Sequence, residues 1–340
     1  MKSTKPIILA MIVVTFAAML IPAILVNPFS DGDGGGKVTV KKEPPDKKET
    51  DISLLEKSDI EVAVWRSNAK QIEKLPLEKY IAGVVAAEMP ADFEVEALKA
   101  QALTARTYIM NHMLRDGKEP NGADVTDTVE HQVYKDFAEL KQQWGADYDK
   151  KLKKVARAVL ETEGQILTYN GKPITATFFS TSNGYTENAE DLWENPYPYL
   201  TSVVSPWDEN SPKFHHQTEI GVKDFEKRLA VKLKAESIGS IIERTGGNRV
   251  ASVNINGKVI SGQDVREALG LKSTDFSWKR KGDRIIITTK GYGHGVGMSQ
   301  YGANGMAKEG KDFREIVTHY YQGVEIASAR SVVEQLLVQK

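Results

Sequence analysis

The 340-residue chain contains no cysteine. That absence excludes disulfides, a thiol nucleophile and thiolate metal sites together. A charge excess is also missing: 45 Lys and Arg stand against 46 Asp and Glu, a net charge of -1. No basic surplus advertises nucleic-acid binding, and no acidic run marks a solvating tail. Metal-ligand spacing is lacking too. Of the 6 histidines, none form an H-x-x-x-H pair, and His215 and His216 are adjacent, so they would point apart in a strand. No metal is expected. The nucleotide fingerprint fails as well: counting G-x-G-x-x-G from Gly291 or Gly293 puts Val296 or Met298 where the third glycine belongs, and no P-loop lysine follows. No segment repeats.

What is present begins with an apolar run, "IILAMIVVTFAAMLIPAILV", from Ile7 to Val26. A helix of about 20 residues spans a bilayer core. Lys2 and Lys5 precede it, which predicts a signal anchor with residues 1–6 in the cytoplasm and the rest of the chain outside. The run is longer than a signal-peptide core, and no small-x-small cleavage site follows it. Residues 27–57, with "SDGDGGGK" and "KKEPPDKKETD", read as a flexible linker.

The remainder reads as an α+β protein, since helical and strand patterns alternate irregularly. Residues 58–328 are expected to form the main domain, with an α+β subdomain over 213–288, and 329–340 a C-terminal tail. "IEVAVW" (60–65) alternates like a strand. Helices are predicted over 78–89, 93–113, 147–163, 222–233 and 263–269, and strands over 251–256 and 284–289. A hairpin is predicted to turn at Asn170-Gly171. A last helix starts at Asp312, with Glu315 completing a capping box.

One carboxylate stands out. In "VVAAEMP" (84–90), Ile81, Val84, Val85 and Glu88 follow i, i+3, i+4, i+7 and share a face that is apolar except at Glu88. Burial and the negative end of the helix dipole would both raise the pKa of Glu88, and a carboxylic acid still protonated near neutral pH is what general-acid cleavage of a glycosidic bond needs. The alternative is a solvated, frayed helix end; helical phase alone leaves both readings open. On the following helix, Val95, Leu98, Ala102, Ala105 and Ile109 form an apolar stripe, while Lys99 and Arg106 share another face, either solvated or lining a cleft.

The segment "GYGHGVGMSQYGA" alternates glycines at 291, 293, 295 and 297 around His294, then reaches Ser299, a plausible helix N-cap. Such glycines permit positive φ and close approach of backbone to a ligand. A weaker pattern is "SNAK" at Ser67 to Lys70, which with Thr181–Asn183 and Arg244–Gly246 loosely follows the serine acyl-enzyme order. The polar "QIEKLP" after Lys70 does not suit the buried helix such a serine opens, so this reading is set aside.

Three stretches together, 75–110, 178–193 ("FFSTSNGYTENAEDLW") and 290–307 ("KGYGHGVGMSQYGANGMA"), resemble the stage II sporulation protein D family, which includes the LytB-type amidase enhancers. The resemblance covers nearly all of the chain after about residue 55. It implies a membrane-bound lytic transglycosylase of the lyase type that cleaves the β-1,4 bond between N-acetylmuramic acid and N-acetylglucosamine in peptidoglycan strands already stripped of stem peptides. It implies Glu88 as the catalytic acid. Lys99, Arg106, Ser180, Ser182, Asn183, His294, Ser299, Gln300 and Tyr301 map to substrate binding by motif position. The partners implied are the sporulation amidase SpoIIP and the membrane protein SpoIIM, acting at the septum when the mother-cell membrane engulfs the forespore. Some members carry a Cys/His zinc cluster; this chain keeps His131 in the corresponding region but has no cysteine, so zinc and other cofactors are not expected. A non-catalytic, glycan-binding enhancer of an amidase is the alternative. A hydrolase normally uses two carboxylates, and Glu187 or Asp191 could be brought near Glu88 by folding; a lytic transglycosylase needs only one, because the muramic acid supplies its own C6 hydroxyl.

Overall fold

The computed structural model describes residues 52–115, 119, 122–193, 195–234 and 237–338. The expected anchor at 7–26, and the linker up to residue 51, lie outside the described residues. Among the described residues no helix is long and apolar enough to cross a membrane. The end of the expected linker is ordered: Ile52–Glu56 forms a helical turn, and Leu55 is fully buried in the main core. An apolar pair, Leu54-Leu55, among charged neighbours is the signal that composition averaged away.

Helices and strands are mixed throughout, consistent with the α+β expectation. Strands β1 (Glu61–Arg66) and β2 (Gln71–Pro76) form an antiparallel hairpin, and β3 (Val125–Thr126) adds in parallel to β1. Ser67–Lys70 is the turn of that hairpin, with Lys70 at φ 54, so Ser67 opens no helix. Two long helices follow. Helix α1 (Leu77–Glu88) buries Leu77, Tyr80, Ile81, Ala82, Val84 and Val85, residues from all round its circumference. It is therefore a central helix rather than one with a single apolar stripe. Helix α2 (Val95–Leu114) is also largely interior; Leu98, Ala102, Ala105 and Ile109 are fully buried, but so are Gln101, Thr104 and Arg106.

Helix α3 (Phe137–Trp144) was not anticipated from periodicity, although Asp136 and Glu139 make a full capping box at its start. Helix α4 (Tyr148–Leu160) packs Leu152, Val155, Ala156 and Val159 inward. Strands β4 (Gln165–Tyr169) and β5 (Lys172–Pro173) turn at Asn170-Gly171 with φ of 50 and 74, the left-handed pair that a two-residue hairpin loop requires. Strand β6 (Phe178–Phe179) pairs in parallel with a distant partner described below.

A second hydrophobic core forms from residues 225 to 287. Around it lie β7 (His215–Gly221), α5 (Val222–Leu229), β8 (Ser240–Arg244), β9 (Val250–Ile255), β10 (Lys258–Ser261), α6 (Gly262–Leu269), β11 (Asp275–Lys281) and β12 (Arg284–Lys290). They make two three-stranded sheets, β10-β9-β8 and β11-β12-β7. Helix α5 stops short of the predicted Leu233 because Ala230 turns left-handed at φ 49. The chain enters and leaves this lobe at one point: His215 pairs with Lys290, and the Gly291 N–H donates to the Phe214 carbonyl at 2.7 Å.

Strand β13 (Met298–Ser299) then pairs with β6, and helix α7 (Gln300–Lys308) follows, capped by the Ser299 hydroxyl on the Gly302 N–H. Helix α8 (Phe313–Tyr320) carries the Asp312/Glu315 capping box. It is not the last helix: β14 (Glu325–Ser328) joins β4, and α9 (Ala329–Val338) occupies the expected tail, with Ala329 and Val332 in the main core.

Candidate active site

Glu88 is the last residue of α1, and Met89 turns the chain extended. Its carboxyl is mostly enclosed. One hydrogen bond reaches it: the Val133 N–H donates to Oε1 at 2.8 Å. Among the described residues no Lys, Arg or His nitrogen lies within ion-pair distance of it. Burial is the larger influence and raises the Glu88 pKa above the usual carboxylate value, while the Val133 bond pulls it part of the way back. The C-terminal end of the helix acts in the same direction as burial.

The segment that supplies Val133 is a strap laid across α1. The Tyr80 hydroxyl donates to Gln132 Oε1 at 3.3 Å, and the Tyr80 and Tyr134 rings stack at 5.5 Å. Arg66 covers the Tyr134 ring at 4.8 Å. The strap fits because Gly83 has no side chain: a Cβ there would meet the Tyr134 ring at 2.3 Å and the Lys135 carbonyl at 2.6 Å. Mid-helix glycine costs about 1 kcal/mol relative to alanine, so Gly83 is the one sequence signal that a close neighbour crosses this helix.

Arg106 does not face open solvent. It is fully buried, forks onto Glu78 with contacts of 2.9 and 2.6 Å, and donates to the Thr162 hydroxyl and the Val159 and Gln165 carbonyls. Lys99 pairs with Glu96 at 2.6 Å and with Glu161. The two cations do share a helical face, but α4 and the turn after it cover that face.

The two distant motifs converge. Parallel pairing of β6 with β13 sets Ser299 opposite Phe179; the Ser299 hydroxyl donates to the Ser180 carbonyl at 3.5 Å and the Tyr301 N–H to the same carbonyl at 3.1 Å. The Ser182 and Ser299 hydroxyls both donate to Asp208, at 2.7 and 2.6 Å, as does Ser205 at 2.6 Å. Asp208 is fully buried, and burial raises its pKa against these donors. Sequence reasoning missed it, because an Asp in "SPWDEN" reads as a solvated turn. Gln300 donates to Gln101 of α2 at 3.4 Å, and the Tyr301 ring meets Phe93 edge-on at 4.9 Å. The Glu94 N–H donates to Asn304 Oδ1 at 2.8 Å. The loop that follows Glu88 is thus tied directly to α7 and, through Tyr301, to Ser180.

Asn183 is buried and His294 half-buried. The His294 Nδ1 accepts from the Val296 N–H at 3.1 Å, so Nε2 carries the proton and donates to the Phe178 carbonyl at 3.0 Å. Burial pushes its pKa down to about 4, so the ring is neutral. Asn183 donates to the Gly247 carbonyl and to Asp275, each at 3.0 Å. Gly295 lies flat on buried Arg249, where a Cβ would meet the guanidinium carbon at 2.4 Å. Glu187 belongs to this Arg249 cluster: it accepts from Thr245 and from the Gly247 N–H, and no bond joins it to Glu88.

The structure also assembles what spacing did not suggest. The His112 and His131 ring nitrogens and a Glu119 oxygen converge within 4.8 Å of one another. The His112 Nε2 is buried with no hydrogen-bond partner, and burial lowers the His131 pKa, which keeps its ring neutral. Two imidazoles and a carboxylate are a donor set that zinc accepts without cysteine. The histidines are 19 positions apart in sequence, on α2 and on the strap, so no local motif betrays them.

A family model described as Stage II sporulation protein matches residues 66–169. The chain is 49% identical over 331 residues to stage II sporulation protein D of Bacillus subtilis (strain 168), covering 95% of this chain and 96% of that one. It belongs to the stage II sporulation protein D family. A relative of the same name in Bacillus amyloliquefaciens is 48% identical, across 99% of this chain and all of the other. An amidase enhancer of Bacillus subtilis (strain 168) is 29% identical, over 72% of this chain and 40% of its own length. The family match contains Arg106 and the Val133 strap as well as Glu88.

Proposed function

We propose that this member of the stage II sporulation protein D family is a peptidoglycan lytic transglycosylase acting in sporulation. The observation that carries the reading is the Glu88 carboxyl: enclosed, raised in pKa, held by one N–H and, among the described residues, facing no cation. Protonated Glu88 donates to the glycosidic oxygen as the C1–O bond between muramic acid and glucosamine breaks. The resulting carboxylate then takes the proton of the C6 hydroxyl, whose oxygen bonds C1 and closes a 1,6-anhydro ring. One group serves both steps, and the nucleophile is already tethered to the reacting sugar. Glu187, engaged with Arg249 and Thr245, has no part in this scheme.

The substrate is glycan stripped of stem peptides, so an amidase acts alongside; SpoIIP and SpoIIM are the proposed partners, and the apolar run at 7–26 is the proposed anchor at the mother-cell membrane. His112, Glu119 and His131 would hold a zinc ion, which there ties α2 to the strap and supplies no step of the cleavage. The test is digestion of peptide-free glycan by the full chain, with products weighed by mass spectrometry. Anhydro-muramic ends are expected. Reducing ends would indicate hydrolysis. Binding without fragments would favour the non-catalytic enhancer, the reading suggested by the more distant amidase-enhancer relative.

A further inference from the structure

Beyond Tyr301 the surface changes character. Lys213 lies exposed in the loop before β7, its ammonium 5.2 Å from the Tyr292 ring, 5.9 Å from the Tyr301 ring and 3.4 Å from the Ser180 hydroxyl. Lys272, after α6, reaches the same Tyr292 ring at 5.4 Å. Neither lysine has a carboxylate within 4.0 Å among the described residues. Lys213 and Lys272 thus present two ammonium groups beside a single tyrosine ring.

The tyrosine face explains how the lysines stay together. A ring quadrupole attracts an ammonium without neutralising it. Tyr292 and Tyr301 therefore restrain the lysine heads, lowering the entropy lost when an anion binds, yet leave the full charge available. Tyr301 also touches Phe93, five residues beyond Glu88, so the cluster continues the surface that starts at the acid.

We propose that Lys213 and Lys272, gathered around Tyr292, bind the free lactyl carboxylate of a muramic acid in the strand being cleaved. The inference rests on the glycan-cleaving reading above and names what that site recognises. While a stem peptide is attached, the lactyl group is a neutral amide. Removing the peptide exposes a carboxylate on each stripped muramic acid. A cation cluster at the rim reads that change of charge directly, and so favours strands an amidase has already processed.

The experiment compares two ligands on the full chain carrying Glu88→Gln, so that binding is measured without cleavage. One is peptide-free glycan; the other is the same glycan with its lactyl carboxylates capped as methylamides. Free carboxylates are expected to bind about tenfold more tightly, the size of two modest rim ion pairs, with the advantage shrinking as salt is raised. Lys213→Gln/Lys272→Gln should bind both strands alike, and Lys213→Arg/Lys272→Arg should keep the preference. Equal binding of the two strands with the native lysines would overturn the proposal, as would a preference that survives in the double Gln variant. Cleavage by Glu88→Gln would overturn the catalytic reading while leaving this binding comparison intact.

Discussion

Helix α1 carries a glutamate at each end, and the two are treated in opposite ways. Glu78, in the first turn, sits at the favourable end of the dipole, and Arg106 forks onto it in the interior. Glu88, in the last turn, sits at the unfavourable end and receives one backbone N–H. The first is paired with a buried guanidinium, while burial raises the pKa of the second. A buried carboxyl alone says little about chemistry; the presence or withholding of a cation decides whether it braces the fold or is poised to react.

Glu88→Gln is the sharpest way to break that comparison. It should cut cleavage of peptide-free glycan by about 10³-fold while circular dichroism stays unchanged; near-parental turnover would remove Glu88 from the chemistry. At the other end, Arg106→Ala strands Glu78 without a partner and should cost about 3 kcal/mol or more in urea unfolding, whereas Glu78→Met/Arg106→Met should recover much of that loss. A small stability change in the single variant would mean the pair does not brace the interior. Gly83→Ala forces Tyr134 and the strap away from α1, at a cost of about 1–3 kcal/mol, and should lower cleavage with it. Unchanged melting and activity would show that the strap yields freely.

The pH dependence is subtler. Glu88 binds its proton more tightly in the folded chain than in the unfolded one. The stability it confers is complete below the ordinary carboxylate pKa and is lost as pH rises through the raised value. Glu88→Gln should therefore melt with the parent in acid and above it at pH 8. The parent's kcat/KM should fall across the same alkaline window, because protonated Glu88 is required. The smallest effect concerns the strap's other anchor: added zinc should raise the melting temperature of the parent and leave His112→Ala unmoved.

Much of the framework was legible. The i, i+3, i+4, i+7 spacing placed Ile81, Val84 and Val85 inside, Asn170-Gly171 marked its hairpin, and Asp312 with Glu315 marked the start of α8. What stayed hidden is whatever depends on long-range pairing. Lys99 and Arg106 share a face, but nothing local says that α4 covers it. His294 looked like a site residue in a glycine-rich loop, yet both its nitrogens are spent on backbone. Asp208, the Val133 strap and the His112–Glu119–His131 group are each defined by partners far along the chain, which no periodicity encodes.

The lobe between β7 and β12 closes on itself where it leaves the main body, and this bears on how the protein folds. The Thr177 and Val296 segments that must meet to set Ser180 beside Tyr301 are 119 residues apart. Joining them directly from an open chain would carry the loop-closure penalty of that whole stretch. Because the lobe has its own core and its ends already touch, folding it first shortens the effective loop to its flanking residues. Forming the lobe first would thus lower the loop-closure cost of tying the Ser182–Ser299–Asp208 knot.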